Sequence, residues 1–404
     1  MIDRYALRPT LWQGLTLRDL ISAATVEAPA AGLITDIGLD GRRLHLTARA
    51  LDHIANRVAR RFATAGAQKG DTILIALPNG APAIIALLGA LGAGLTPCLV
   101  APTLDDDALA LALRRVKPRA IVSASFPQFD PLSRCVTTAR RLAMPLYLWN
   151  FGPVDHDHAA PLYDLLSGDA PARLLPMHPP NAGDADIMTL WDRGDGPEPV
   201  RHQQAALLAQ AVLARLAQPI ASTRIVSALS LTTQAGLVLG PLRALLTRTP
   251  LTLIADPSSE SFHKAATDGP ADYVVPPRLA DALLAEPSIK TEAVLLVQRA
   301  GQDQPRMSGN SFIAFGEAMT LPAAHRGQAL QPGTITASTT DGLLHFADLK
   351  TNLKGSFTLA SPLAGCLSDG SVACPSLDAS LGRDGEFINF TPKQRGHNEH
   401  TPID

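Results

Sequence analysis

Asp155-His156-Asp157-His158 puts four metal-ligating side chains in a row. Carboxylate oxygens and imidazole nitrogens together suit a divalent ion such as zinc. Alternating residues in a proline-flanked segment also make an ordinary solvated loop, and we read them so. Cys98 and Cys135 sit among apolar residues, as buried thiols do. Cys366 and Cys374 have seven residues between them, neither a zinc-knuckle nor a redox spacing. Gly89-x-x-Gly92-x-Gly94 has the glycines of a dinucleotide fingerprint, but it lies inside an apolar helical pattern rather than directly after a strand. No Gly-x-Ser-x-Gly elbow is present, and Ser, His and Asp are scattered without a nucleophile spacing.

The chain has 404 residues, 46% of them hydrophobic. That is enough for two or three subdomains with shared cores and too apolar for global disorder. A net charge of −2 and 4% aromatics argue against a nucleic-acid binder, which needs a basic surface or stacking side chains. Met1–Leu20 has no apolar signal core. The apolar run Ala81–Val100 is long enough for a membrane span, but Pro82, Pro97 and its glycines read as a buried helix leading into a strand. Four cysteines suit a reducing compartment. We therefore expect a cytoplasmic protein without a membrane span.

Leu46–Ala65 carries Leu51, Ile54, Ala55, Val58 and Phe62 at helical spacing, with Thr47 as a cap and Gly66 as a stop. Strands are expected at Thr72–Leu77, Leu95–Val100, Arg119–Ser123 and Leu146–Trp149, with helices from Ala81 and over Asp105–Val116. A second unit follows: a strand at Ile187–Leu190, a helix over Arg201–Leu216, then strands at Arg224–Leu231, Leu251–Ala255, Asp272–Val275 and Ala293–Val297. Helices over Gln234–Thr247, Ser258–Asp268 and Arg278–Glu286 separate them. From Gly327 on, Gly, Ser, Thr and Asp dominate and alternate weakly, as in a β-rich unit. The fold class is α/β: two αβ subdomains with mostly parallel sheets, residues 1–185 and 186–326, plus a smaller β-rich subdomain at 327–390.

Leu46-Thr47, Ala65-Gly66-Ala67, Lys69-Gly70-Asp71-Thr72-Ile73, Leu77-Pro78-Asn79 and Gly94–Pro97 together resemble the opening strings of the adenylate-forming superfamily. This superfamily comprises acyl-CoA ligases, luciferases and peptide-synthetase adenylation domains. The later elements follow the same order, with Gln234–Arg243 and Pro276-Pro277-Arg278-Leu279 at matching places. The resemblance implies the superfamily's N-terminal domain. It also implies a two-step reaction, in which a carboxylate attacks the α-phosphate of ATP, pyrophosphate leaves, and the acyl-AMP passes to a thiol.

The resemblance further implies which residues would do this chemistry. The phosphate loop, a hydroxyl-rich glycine loop with a lysine, falls at Trp191–Pro199, where Arg193, Gly194 and Gly196 remain. The hydroxyls are gone, Pro199 or Glu198 stands at the lysine, and Asp192, Asp195 and Glu198 would repel polyphosphate. A plain turn from strand to helix is the alternative. Phe315-Gly316-Glu317 matches part of the adenine and magnesium motif, with Phe315 for stacking and Glu317 as the metal candidate. Asp378 is the ribose candidate, ahead of the Asp384-Gly385 turn. Lys393 and Arg395-Gly396 match the hinge, so residues 391–404 would be a tail at that hinge, with the C-terminal catalytic domain absent.

These departures imply a divergent acyl-CoA synthetase-like protein, impaired alone, which binds an acyl group or adenylate or serves a partner. ATP or AMP with Mg²⁺ would be its cofactors where the site survives. An acyl carrier protein, CoA or an active ligase would be its partner. The alternatives are an active ligase completed by a separate C-terminal domain, with Arg193 or Arg201 replacing the lysine, and a non-enzymatic scaffold.

Overall fold

The computed structural model describes residues 14–39, 41–167, 185–192, 196–217, 222–286, 288–289, 291–299, 311–315, 317, 319–322, 354–357, 365–369, 377–381 and 387–392. In chain order it begins α1 (Leu17–Glu27), β1 (Gly32–Ile37), β2 (Arg43–Thr47), α2 (Ala48–Thr64), β3 (Thr72–Ala76), α3 (Ala81–Gly92) and β4 (Thr96–Leu99). It continues α4 (Asp106–Val116), β5 (Ala120–Ser123), α5 (Pro131–Arg141), β6 (Tyr147–Asn150) and β7 (Ala160–Pro161). Then follow β8 (Ile187–Asp192), β9 (Pro197–His202), α6 (Gln204–Ala217), β10 (Ile225–Ser227), α7 (Gln234–Leu237) and α8 (Arg243–Thr247). The chain goes on through β11 (Leu251–Ile254), α9 (Ser259–Ala266), β12 (Ala271–Val275), α10 (Pro277–Leu284), β13 (Thr291–Arg299), β14 (Ser311–Phe315) and β15 (Met319–Pro322). Strands β16 (Lys354–Phe357), β17 (Leu377–Leu381) and β18 (Phe387–Pro392) close it.

The α/β expectation holds. One sheet runs β7-β6-β5-β3-β4-β8-β9, parallel except for the β8–β9 hairpin. The second runs β15-β14-β13-β12-β10-β11-β1-β2, with antiparallel pairs only at its two ends. Strands β16–β18 make a small antiparallel sheet. The two large sheets exchange chain across residue 185: β1 and β2 join the second sheet, while β8 and β9 join the first.

Local signals account for the placement. Thr47 caps α2 by accepting the Ala50 N–H at 3.1 Å, and Leu51, Ile54, Ala55, Val58 and Phe62 all face the core. Full burial of each larger side chain contributes about 1.5–3 kcal/mol. The glycine string that resembles a nucleotide fingerprint serves packing. A Cβ at Gly89 would come within 2.6 Å of Val58 Cγ1, so only glycine lets α3 lie this close to α2. Between α7 and α8, Val238–Leu242 forms a π-helical turn around Pro241, which lacks the N–H an α-helix needs there.

At the expected phosphate loop the structure departs from expectation. Trp191–Pro199 does not turn from a strand into a helix. It returns as a second strand, β9, with Leu190 opposite Pro199 and Met188 opposite Arg201. Arg201 turns its backbone outward, donating to Cys366 O at 2.8 Å and accepting from Cys366 N at 2.9 Å. Pro197 and Pro199 share its parity, so their missing donors fall on the sheet edge, where proline is tolerated.

Candidate functional site

The expected site residues scatter over three places. Gly196 ends the β8–β9 turn, Glu317 sits in the β14–β15 turn, and Asp378 lies on β17 opposite Ser356 and Thr391. Phe315 is the last residue of β14 and pairs with Met319. Arg193, Gly194 and Gly316 lie outside the described residues.

The structure brings Glu317 to the hairpin. Its Oε2 accepts the Thr189 hydroxyl at 3.0 Å and the backbone N–H of Gln234, at the start of α7, at 2.7 Å. The Thr189 oxygen lies 2.9 Å from His202 Nε2, across the β8–β9 pair. A carboxylate only accepts, so Thr189 spends its proton on Glu317 and accepts the Nε2–H of His202. This order fixes the neutral imidazole with its proton on Nε2. Burial pushes the His202 pKa down to about 3, which keeps the ring uncharged. Its Nδ1 is buried without a hydrogen-bond partner, and a Cβ at Gly365 would come within 2.6 Å of it.

A second layer fixes Gln234. Its side-chain NH₂ donates to Gln210 Oε1 at 2.5 Å, and its Oε1 accepts from the Thr320 hydroxyl at 2.6 Å. Gln210 Oε1 also accepts the Thr320 backbone N–H at 3.1 Å. All three residues are buried, and together they staple α6, α7 and β15. Sequence reading missed Thr189, His202, Gln210, Gln234 and Thr320. The available signal was a glutamine inside each of two apolar helical stretches, since a buried amide must find a partner.

The far arm of the hairpin is held by α4. Arg115 donates to the carbonyls of Gly196 at 3.2 Å and Pro197 at 3.0 Å, and its guanidinium lies 3.8 Å from the Glu198 carboxylate. Gly196 has φ +99°, and a Cβ there would meet Leu111 Cδ2 at 2.3 Å. Arg201 faces Asp186 at 3.9 Å. Burial raises the Asp186 pKa, and Arg201 pulls it back in part.

The cluster at Asp155–His158 behaves as a loop. His156 Nε2 lies 3.3 Å from Ser133 Oγ, and Ser133 in turn bonds Asp130, the cap of α5. The acid therefore bonds the serine and not the histidine, which is not a catalytic relay. Among the described residues no three His, Cys, Asp or Glu side chains converge to hold a metal ion, and no helix is long and apolar enough to cross a membrane.

Comparison with known proteins places this geometry. The AMP-binding enzyme family matches residues 24–159, which takes in β1 to β6 and stops short of the hairpin and Glu317. No curated protein matches. The luciferase-like enzyme of the nonluminescent mealworm Zophobas morio superposes with a TM-score of 0.71 at 14% identity, over 94% of this chain and 96% of its own. A benzoate CoA ligase from Burkholderia xenovorans gives 0.69 at 16% identity, over 93% and 80%. ATP-bound MatB from Rhodopseudomonas palustris gives 0.65 at 13%, over 93% and 78%. At such identities the likeness speaks for the fold. The AMP-binding match over residues 24–159 agrees with the adenylate-forming resemblance read from the sequence, and the chain shares the α/β fold of these neighbours.

Proposed function

We propose that this chain is a divergent acyl-CoA synthetase-like protein that does not complete adenylation alone. It binds an acyl group or an adenylate, or serves an active ligase or an acyl carrier protein, within the cytoplasm. The observation that carries this reading is the Arg115–Glu198 contact of 3.8 Å. Where the family has a phosphate-binding lysine, this chain has Pro199 or Glu198, and the Glu198 carboxylate is turned to a guanidinium on α4. Such a pair offers departing pyrophosphate no unshared cation, and transition-state charge needs one nearby. Glu317 is the residue that would meet Mg²⁺. A single carboxylate suits that ion, which keeps waters and shares substrate phosphates. Here one of its oxygens is already engaged by Thr189 and Gln234.

A second reading is an active ligase completed by a separate C-terminal domain or partner chain. It draws on Arg201 of β9, whose side chain is 59% exposed and lies 3.9 Å from Asp186, near the upper limit of an ion pair.

Calorimetric titration tests both readings, using ATP–Mg²⁺ and a non-hydrolysable acyl-AMP mimic. Binding of the mimic with little or no ATP affinity supports the first. Tight ATP–Mg²⁺ binding supports the second. No heat from either ligand in the millimolar range sinks the ligase and the adenylate-binding readings and leaves a scaffold that acts through partners.

A further inference from the structure

Strands β3, β4, β5 and β6 run parallel, so their N-terminal ends share one edge of the first sheet. Helices α2, α4 and α5 end at that same edge, each feeding the next strand. Segments 60–72, 114–119 and 138–147 form this rim and carry nine Lys and Arg against one carboxylate, Asp71. The surface is continuous. Gly70 N donates to Gly94 O, Arg119 N to Thr72 O and Tyr147 N to Arg119 O, while the Arg119 guanidinium lies 5.4 Å over the Tyr147 ring.

Lys69, Arg114, Lys117, Arg119 and Arg140 are exposed, and among the described residues none has a carboxylate within ion-pair distance. Helix dipoles account for Arg114 and Arg140, which sit in last turns. They do not account for Lys69 and Arg119, which lie beyond the helices.

We infer that this rim is a docking surface for a partner protein that presents an acidic face. These segments sum to +8 against −10 for the rest of the chain; Arg61, Arg115 and Arg141 are paired with Asp164, Glu198 and Asp107 from outside the segments, which leaves the five exposed cations as the rim's open charge. A long polyanion or a flat anionic membrane would meet that negative remainder. A compact acidic partner meets the rim alone, which spans four strands, roughly 15 Å at the usual strand spacing. Three of the five unpaired cations are arginines, whose planar forks suit carboxylates. Tyr147, at 42% exposure, is the one large hydrophobic exposed on the rim among the described residues, too little to anchor in lipid or stack on bases.

The test is fluorescence anisotropy of a short labelled polyglutamate peptide titrated with the full chain. Phosphatidylserine vesicles and a single-stranded oligonucleotide run as parallel probes. We expect polyglutamate binding that weakens with salt, and that falls about tenfold in the Arg114→Glu/Lys117→Glu/Arg119→Glu variant. A control variant, Arg49→Glu/Arg278→Glu, changes net charge away from the rim and is expected to keep the binding. Circular dichroism checks that both variants fold. Equal loss in the control, no loss in the rim variant, or tighter rim-dependent binding of vesicles or oligonucleotide would overturn the proposal.

Discussion

Glu317 and Thr189 lie 128 residues apart in sequence and 3.0 Å apart in space, the hydroxyl of one given to the carboxylate of the other. This contact ties the β14–β15 turn of one sheet to the β8–β9 hairpin of the other. Without the Thr189 hydroxyl the buried His202 Nε2–H loses its acceptor, and Glu317 Oε2 keeps the Gln234 N–H but loses one of its donors.

Thr189→Val keeps the shape of the side chain and removes the hydroxyl. Leaving buried polar groups short of partners costs about 1–3 kcal/mol. We expect a lower urea midpoint for Thr189→Val and near-complete recovery in Thr189→Ser. A valine variant as stable as the parent would show that the contact is incidental.

His202 gives stability a pH dependence. Its folded pKa lies near 3, below the ordinary value of 6.5, because burial penalises the charged ring. Between those values the unfolded chain binds a proton that the folded chain does not. Stability therefore rises with pH across this window, on the order of 1 kcal/mol per pH unit, and this contribution is complete above about 6.5. Denaturation at pH 5 and 7.5 reads it. The parent should lose more stability at pH 5 than His202→Gln does. Equal losses would mean that the histidine does not carry the effect, since the burial-raised pKa of Asp186 acts in the opposite direction in both proteins.

The elements around this site were legible where period and punctuation agreed. Thr47 announced α2, and Asp105 announced α4 by accepting the N–H groups of Asp107 and Ala108. Strand β9 was hidden because Pro197 and Pro199 weaken any strand signal, and only the edge position explains them. The strand exchange was hidden for a different reason. A buried strand such as β1 shows that it needs neighbours on both sides, but not which ones. Glu317 was legible as a motif remnant. Its partners Thr189 and Gln234 are common residues without a spacing signal, and only tertiary packing brings them to it.

Gly236 and Gly70 make a pair of opposites. A Cβ at Gly236 would lie 1.9 Å from the Ser230 carbonyl oxygen, a backbone atom that the Thr233 turn holds in place. Gly70 has φ +88° and nothing within 4 Å of a built Cβ. Gly70→Ala should cost about 1 kcal/mol from conformation alone. Gly236→Ala should cost several times that, and it should loosen the start of α7, where Gln234 reaches Glu317. Chemical denaturation ranks the two, and a reversed order would contradict the packing of the Ser230 turn.

Glu198 offers a gain-of-function test. If the carboxylate at Glu198 is what bars polyphosphate, Glu198→Lys should restore attraction most fully when the neighbouring guanidinium is also dealt with. Arg115 lies 3.8 Å from the present carboxylate and would repel a lysine ammonium there. Arg115 also holds the Gly196 and Pro197 carbonyls, so the single variant sets a repulsion against an intact hairpin anchor. Arg115→Gln keeps a donor for those carbonyls and removes the charge. We expect ATP–Mg²⁺ affinity to rise about tenfold in Arg115→Gln/Glu198→Lys, less in Glu198→Lys alone, and not at all in Arg115→Gln. Polyphosphate without adenosine should follow the same order, because the added charge acts on phosphate. If no variant gains affinity for either ligand, the missing lysine is not what limits this chain, and the barrier lies in the lost hydroxyls of the same loop.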